Sequence, residues 1–497
     1  MKKFLLPLAL LSFTSLVAFP QKKTAPDSNF KPGISANIPV IKISSKSGNN
    51  DFVAKPVASV VTEKRKTWGE IKDDPVPYYE ECKVTIVDGN KATAIDNAEA
   101  KVKVRGNWTT SYDKKPLRIR FKEKQSVLGM NEGKKNRDWV LMASYKDWSF
   151  SRDATGLYLA HMITSGYKSD FRLAEVYVNN KFWGVYVLAE LQEVGKERVN
   201  ITEVKKGYKN TDIGYFLEFD GYSYAEKNKF DFKAVGNLKD INGDTVDISK
   251  LESGYTIKSN ITNPSQVKFI DNYVNGVWQI CYEAAYNKKY LEFDKDYKNL
   301  VKSKASNARE CVSKVIDIDS MVEAYILSEI VCDPDLYYSS FYFTADFGPE
   351  GNKKIYFEAP WDFDSTMGNK NFCADGKGLH AAVKQWDVSH WEQKHCNPWM
   401  MVFVNEPWFQ SAVKAKWKTI KAGKTVDKLL ANIDFITKNY AKSFTEDQKV
   451  WANIGNNELV GNELDKESAK CKNQKKAADR LKKWLKARFA YLDSVWK

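Results

Sequence analysis

The pattern of apolar residues changes near residue 195, and this change constrains the fold more than any other feature of the chain. Before it, CKVTIVDG, AKVKVRGNW and PLRIRF cluster β-branched residues between Gly, Asn and Asp, which is typical of short strands. After Pro264, SQVKFIDNYVNGVWQICYEAAY and IDSMVEAYILSEIV follow a helical pattern, as does the closing AADRLKKWLKARFAYLDSVW. The sequence therefore predicts an α+β fold with a β-rich first half and a mainly helical second half.

Local signals predict several individual elements. The run WSFSRDATGLYLAHMI predicts a helix over Trp148–Ile163, with Ser149 or Ser151 as its N-cap. EVYVNNKFWGVYVLAEL predicts a hairpin that turns at Asn179 and Asn180, because asparagine tolerates the positive φ of a tight turn. GYFLEFDGY and GYTIKSN predict further strands.

The N-terminal residues have the features of an export signal. MKKFLLPLALLSFTSLVAF joins two lysines to an apolar run, which predicts a signal peptide at 1–19. Residues 20–65 are rich in Lys, Ser, Asn and Pro and predict a linker or extended arm. No later apolar run is long enough to cross a bilayer, so we expect a secreted, extracellular protein without a transmembrane segment.

The charge balance favours an anionic partner. The 77 basic and 63 acidic residues give a formal net charge of +14, which attracts nucleotides, acidic proteins or charged surfaces. The lysines are spread along the chain and no nucleic-acid-binding motif accompanies them, so we do not expect a nucleic acid as the partner.

The seven cysteines and the sequons bear on modification. Disulfides are expected in an exported chain, although the sequence does not define their pairing. A zinc site from Cys373, His390, His395 and Cys396 is the alternative, but no CxxC or HExxH motif supports it. The sequons at Asn107, Asn200 and Asn260 predict a glycoprotein if the source is eukaryotic.

Two acidic motifs lie in one predicted hairpin, FYFTADFGPEGNKKIYFEAPWDFD. Because the strand ends away from a hairpin turn meet, Asp335 before the first strand should lie near Asp362 after the second. Asp346, in a DFG tripeptide like that of protein kinases, belongs to the turn and should lie roughly 20 Å away at about 3.3 Å per residue. The sequence therefore predicts that the DFG tripeptide is a turn and that WDFD is the functional motif.

Clustered carboxylates suggest magnesium and phosphate chemistry. In an extended run Asp362 and Asp364 point to the same side, and Mg²⁺ is usually shared between one or two carboxylates and substrate phosphates. Asp335 would then accept the proton of an attacking hydroxyl. The alternative is a surface turn with Trp361 packed beneath it, and composition alone leaves both open.

Several segments, in order, resemble the CotH (spore coat protein H) kinase family. They are KVRGNWTTSYDKKPLRIRF, DWVLMASYKDWSFSR, EVYVNNKFWGVYVLAEL, GYFLEFD, EAYILSEIVCDPDLYYSSFYF with EAPWDFDSTMGN, and RLKKWLKARFAYLDSVW. The resemblance covers roughly residues 70–497. It implies an atypical protein-kinase-like fold of two lobes, which we place at 66–195 (β-rich N-lobe) and 196–497 (mainly helical C-lobe).

The resemblance also implies roles for the acidic cluster. Asp335 would be the catalytic aspartate, while Asp362 would hold Mg²⁺ (or Mn²⁺) with support from Asp364. Ser340 stands where the kinase pattern D-x-x-x-x-N has the asparagine that binds a second metal ion, so a second ion would rest on a weaker hydroxyl ligand.

Candidate residues for ATP are less specific. Lys115 matches a family lysine and would reach the phosphates, unless it is an ordinary lysine at a strand end. Arg105 and Arg152 would contact phosphate or form structural ion pairs. Glu190 would line the nucleotide cleft or neutralise a buried basic side chain. The glycine-rich GxGxxG loop of protein kinases is absent.

The resemblance implies a secreted kinase that moves the γ-phosphate of ATP to Ser or Thr of extracellular, coat or cell-wall proteins. One alternative is another ATP-dependent transfer on the same fold, such as adenylyl or amino-acid transfer, since fold alone does not fix chemistry. A non-catalytic cell-surface adhesin is the other. Substitution of Asp335 and Asp362 separates the adhesin from the two enzymes, because only an adhesin should function without these carboxylates.

Overall fold

The computed structural model describes residues 23–55, 79–106, 108–384 and 396–497. The predicted signal peptide, the sequon at Asn107 and the histidines His390 and His395 lie outside the described residues. Within the described ranges, no helix combines the length and apolar character needed to cross a membrane.

Strands dominate the first half of the described chain and helices the second. The strands are β1 (Val40–Ser45), β2 (Glu80–Val87), β3 (Thr93–Val104), β4 (Leu117–Gln125), β5 (Asn136–Met142), β6 (Phe171–Val178), β7 (Lys181–Glu190), β8 (Gly214–Asp220), β9 (Lys229–Asp231), β10 (Asn237–Lys239), β11 (Thr245–Asp247), β12 (Gly254–Ile257), β13 (Leu291–Phe293), β14 (Leu300–Lys302), β15 (Phe341–Asp346) and β16 (Ile355–Phe357). The helices are α1 (Asp51–Ala54), α2 (Met130–Gly133), α3 (Arg152–Ile163), α4 (Pro264–Tyr286), α5 (Ala308–Ser313), α6 (Ile318–Val331), α7 (Pro398–Met401), α8 (Pro407–Ala422), α9 (Thr425–Asn439), α10 (Ala441–Trp451), α11 (Lys466–Ala469) and α12 (Gln474–Val495). The α+β class predicted from the sequence is confirmed.

The first seven strands form a closed barrel in the order β1-β2-β3-β4-β5-β7-β6. Strand β1 closes it, because Val40 pairs antiparallel with Val87 of β2 and parallel with Glu175 of β6. Its Ile41 and Ile43 are buried in the barrel core. This strand lies in the segment predicted to be a linker or extended arm, where the structure differs from the expectation because a six-residue strand carries little periodicity.

A five-stranded sheet in the order β16-β15-β8-β12-β9 follows the barrel. Phe343 of β15 pairs with Phe357 of β16, which confirms the predicted hairpin. The second strand is shorter than predicted, because β16 ends at Phe357 and the WDFD motif lies beyond it. The prediction that Asp362 and Asp364 lie on one side of an extended strand is therefore wrong.

The predicted hairpin of β6 and β7 is confirmed, with Asn179 and Asn180 at φ values of 47° and 66°. Helix α3 begins at Arg152 rather than at Trp148. The reason is the buried Asp147 carboxylate, which accepts hydrogen bonds from the backbone N–H groups of Ser149, Ser151 and Arg152 and so caps the helix from outside.

One hydrophobic core joins the two halves of the chain. Val140 and Val187 of the barrel belong to the same cluster as Trp278 of α4 and Leu481 of α12. Helix α10 packs on β7, so the C-terminal half also covers the barrel. The division into two kinase-like lobes stays a prediction.

Candidate active site

A cleft with a volume of about 1210 Å³ lies in the described part of the protein. Residues of the barrel, of the five-stranded sheet and of the C-terminal half line it. Five of the residues predicted for the site are among them, namely Arg105, Asp335, Ser340, Asp362 and Asp364.

Asp335 reaches this cleft from a short 3₁₀ turn over Asp335–Tyr337, which follows the end of α6. Its backbone N–H donates to the Asp333 carboxylate at 2.9 Å, and its carbonyl oxygen accepts from Tyr338 and Ser339 at 2.8 Å. These contacts fix the backbone while the Asp335 side chain lines the cleft. The hydrogen bonds therefore fix the backbone from which Asp335 lines the cleft.

Asp362 adopts the left-handed region at φ 68°, which is uncommon for residues other than glycine, although aspartate takes it more readily than most. Burial and the charges of Asp364 and Asp335 together raise its pKa to about 7, against the opposing effect of Lys146 and Arg105. Strain and repulsion of this kind concentrate at functional sites. A bound cation would relieve the repulsion.

Lys146, which the sequence analysis missed, is the basic partner of this cluster. Its Nζ lies 3.1 Å from Oδ1 of Asp364, and both side chains are nearly buried. The amide of Asn369 donates to the backbone oxygens of both residues, at 3.1 Å to Lys146 and 2.7 Å to Asp364. Burial lowers the pKa of Lys146, but Asp364 and the other acidic groups around it, Tyr112, Glu463 and Asp335, together raise it well above its usual value, so the lysine stays charged.

Asp153, on the first turn of α3, is a further acidic residue of the cleft that the sequence analysis missed. Its Oδ1 accepts the backbone N–H of Phe363 at 3.0 Å, between the two acidic residues of WDFD. Burial and the charges of Asp364 and Asp362 raise its pKa well above the usual value. The contact ties α3 to the WDFD segment.

Ser340 also lines the cleft and, like Asp362, lies in the left-handed region, at φ 60°. Its backbone N–H donates to Glu218 at 2.9 Å, and Glu218 in turn lies 2.9 Å from Lys258. Beside it, burial and the Glu218 charge raise the pKa of Asp220 to about 7. Glu218 and Asp220, for which no role was predicted, therefore also line the cleft.

Arg105 lines the cleft with its guanidinium carbon 5.7 Å from the ring centre of Trp361. Trp361 is buried beneath the WDFD segment, as the surface-turn interpretation expected, but the aspartates beside it face the cleft. The packed tryptophan and the acidic cluster therefore coexist.

The other three residues that were predicted to bind the nucleotide do not line the cleft. Lys115 donates to the carbonyl of Tyr112 at 2.5 Å, and Arg152 pairs with Asp147 at 2.6 Å. Glu190 lies 3.4 Å from Arg198, which is the neutralising role considered as the alternative. Each of these charges is engaged in structural contacts.

Asp346 of the DFG tripeptide ends β15 away from the cleft. Its carboxylate accepts the N–H of Gly348 at 2.9 Å and the N–H of Thr202 at 2.9 Å. The structure therefore agrees with the prediction that this tripeptide is a turn.

The donor set fits a hard divalent cation, because carboxylate and hydroxyl oxygens are its preferred ligands. Within the described ranges, Asp335, Asp362 and Asp364 do not bring one oxygen each within 4.8 Å of all the others. A cation held by Asp362 and Asp364 would therefore complete its coordination with water and substrate oxygens, as Mg²⁺ usually does.

Comparison with known proteins gives the family. The sequence model described as CotH kinase protein matches residues 102–492. The chain belongs to the CotH kinase protein family. All five predicted residues that line the cleft fall inside this CotH match, whereas β1 and β2, which close the barrel, precede it. A comparison with curated proteins finds no match.

The CotH resemblance contained a signal for the two missed residues. Lys146 and Asp153 lie in or directly after DWVLMASYKDWSFSR, one of the segments that resemble the family. No spacing within that segment distinguishes Lys146 from a lysine such as Lys115, so sequence alone assigns it no role. Only the fold brings Lys146 to Asp364.

Proposed function

We propose that the chain is a secreted, ATP- and Mg²⁺-dependent protein kinase that transfers the γ-phosphate to Ser or Thr hydroxyls of extracellular, coat or cell-wall proteins. The observation that carries the proposal is one cleft lined by Asp335, Asp362 and Asp364 together with Lys146 and Arg105. Membership of the CotH kinase family supports nucleotide chemistry there.

The charges of the cleft suit a nucleoside triphosphate such as ATP. Carboxylates alone would repel phosphate, but Lys146, Arg105 and Lys370 line the same walls. Phosphoryl transfer depends mainly on positioning and on neutralising charge that spreads over the phosphate oxygens. A cleft with both signs of charge meets both requirements.

Asp362 and Asp364 would hold the cation, with Ser340 available as a further oxygen ligand. When bound, Mg²⁺ neutralises the phosphate oxygens and orients them. Asp335 would accept the proton of the attacking hydroxyl, since it stands outside the Lys146–Asp364 pair. Lys146 and Arg105 would contact phosphate oxygens, and Asp153 would hold the WDFD backbone in place.

Export is proposed from the N-terminal signal pattern, and it sets the substrate class. An extracellular kinase meets secreted and surface proteins as its substrates. The net charge of +14 favours acidic ones among them.

The proposal is tested with the protein lacking residues 1–19, supplied with Mg²⁺ or Mn²⁺ and ATP labelled at either the α- or the γ-position. Casein serves as the acidic trial substrate and myelin basic protein as the basic one. We expect label from the γ-position only, and its loss in Asp335→Asn and Asp362→Asn. Asp375→Asn, outside the cleft, is the matched control and should retain labelling.

The other outcomes identify the alternatives. Label from the α-position would replace the kinase proposal by adenylyl transfer. No label from either position, together with no nucleotide binding by calorimetry, would leave the adhesin interpretation in its place.

A further inference from the structure

Three side chains outside the cleft bring metal-binding atoms together. One ligand atom from each of Cys332, Cys373 and His380 lies within 4.8 Å of the other two, and no other such group of His, Cys, Asp and Glu occurs in the described part of the chain. Both cysteines are buried and the histidine is partly exposed. Cys332 ends α6 at φ 47°, and the other two lie beyond the WDFD segment.

A buried ion pair fixes the two segments that carry these ligands. Arg488 of α12, with no exposed surface, lies 2.8 Å from Oε2 of Glu329 and donates to the Glu329 carbonyl at 2.7 Å. Its third nitrogen, Nη1, donates to the carbonyls of Gly376 and Gly378. The Glu329 carboxylate accepts the backbone N–H of His380 at 2.8 Å. The end of α6 and the loop are thus held in one arrangement.

The chemistry of the three groups suits a borderline-soft cation. Thiolate sulfur and imidazole nitrogen are the ligand types that zinc takes in proteins. Nε2 of His380 lies 2.7 Å from the carbonyl oxygen of Lys377, which can only accept. The neutral ring therefore keeps its proton on Nε2 and a lone pair on Nδ1, an arrangement that recurs in histidines that bind metal.

We propose that Cys332, Cys373 and His380 bind one zinc ion. Three protein ligands with a water in the fourth position are an established zinc arrangement, and Cys₂His is one of its ligand sets. On binding, the thiols of Cys332 and Cys373 release their protons to solvent and both sulfurs coordinate as thiolates, whose charges balance that of the ion. No oxidation is involved.

The site would join two functional segments. Cys332 lies just before the turn that carries Asp335, and Cys373 lies after Asp364 in the chain. A zinc ion would hold the end of α6 and the segment after WDFD together, in addition to the Arg488–Glu329 pair. This positioning role is separate from the cation proposed in the cleft.

The test uses the protein lacking residues 1–19, purified under a non-chelating phosphine reductant and stripped of metal. It is then titrated with Zn²⁺ in competition with a coloured chelator. We expect one equivalent of zinc, and with Co²⁺ in its place the absorption of a thiolate-bound cobalt ion. X-ray absorption should show two sulfurs at about 2.3 Å and one nitrogen at about 2.0 Å.

Variants assign the ligands. Cys373→Ser and His380→Gln should each lose tight binding of the one equivalent of zinc. Cys82→Ser, at a buried barrel cysteine, should keep it. Asp362→Asn should also keep it, which separates this site from the cleft. If Cys373→Ser does not fold, His380→Gln and the cobalt spectrum of the unaltered protein decide.

Three results would overturn the proposal. The first is no zinc bound by folded protein. The second is zinc retained in both ligand variants. The third is a Cys332–Cys373 disulfide, found by mass spectrometry in protein collected from exporting cells and alkylated before any reductant is added.

Discussion

The charge of Lys146 is the residue-scale feature on which the cleft depends. It compensates the buried Asp364 carboxylate and faces the space where phosphate would bind. Lys146→Met should lower the rate of γ-phosphate transfer by about 100-fold, because one preorganised charge at the reacting group is lost. Labelling with γ-labelled ATP measures the effect.

Lys115→Met is the matched control for this prediction. Lys115 is also buried, but it donates to the Tyr112 carbonyl and does not line the cleft. The control should retain its transfer rate once corrected for folded fraction. Equal losses in the two variants would contradict the assignment of Lys146.

His161 gives a residue-scale prediction for pH. Its ring stacks on Phe30 with centroids 3.8 Å apart, and burial lowers its pKa from 6.5 to about 4. Between these values the unfolded chain binds a proton that the folded chain excludes. This contribution to stability is therefore complete above pH 6.5 and is lost as the pH falls towards 4.

The size of the effect follows from the shift, at about 1.4 kcal/mol per pH unit or roughly 3 kcal/mol in full. His161→Gln should be less stable than the unaltered protein at pH 7 but should lose less stability between pH 7 and pH 5. Urea unfolding at both pH values measures the difference. Identical pH dependence in the two proteins would contradict the prediction.

At the scale of elements, a buried ion pair fastens α10 to the barrel. Lys114 lies 2.7 Å from Asp447, and both side chains are 1% exposed. Asp447 also accepts the backbone N–H of Val185 in β7 at 2.7 Å. Asp447→Leu alone should cost about 3–5 kcal/mol of unfolding free energy, because it leaves a charge buried without a partner.

Adding Lys114→Met to Asp447→Leu should recover about 2 kcal/mol of the summed loss, since neither charge then remains. Denaturant unfolding of the two single variants and the double variant completes the cycle. Additive losses would show that the two residues do not act as a pair.

Sequence patterns predicted those elements whose signals are local. Turn chemistry predicted the turn at Asn179 and Asn180. The helical period of the apolar residues predicted the closing helix, which buries Leu481, Trp484 and Leu485. Strand β1 and the start of α3 did not. Strand β1 is defined by its barrel partners, and the start of α3 depends on the side chain of Asp147.

The acidic half of the site could be predicted because its residues are close in sequence. The hairpin argument placed Asp335 near Asp362 even though its detailed geometry was wrong, since the strand ends before WDFD. The basic half could not be predicted in this way. Lys146 reaches Asp364 through packing of the barrel on the second half, a long-range contact without a local pattern.

At the scale of the whole molecule, the cleft depends on the continuity of the core. Val140 and Val187 of the barrel share one hydrophobic cluster with helices of the second half, and Trp361, which Arg105 approaches, belongs to it as well. The central claim is that WDFD, and not DFG, forms the cation and nucleotide site of this assembly.

The most direct test is calorimetric titration of Mg²⁺ with ATP into Asp362→Asn and Asp346→Asn, the same substitution at the two motifs. We expect Asp362→Asn to lose binding while remaining folded. Asp346→Asn should bind as the unaltered protein does, although the poorer acceptor for Thr202 and Gly348 should lower its stability by about 1–3 kcal/mol. Binding retained in Asp362→Asn and lost in folded Asp346→Asn would contradict the account.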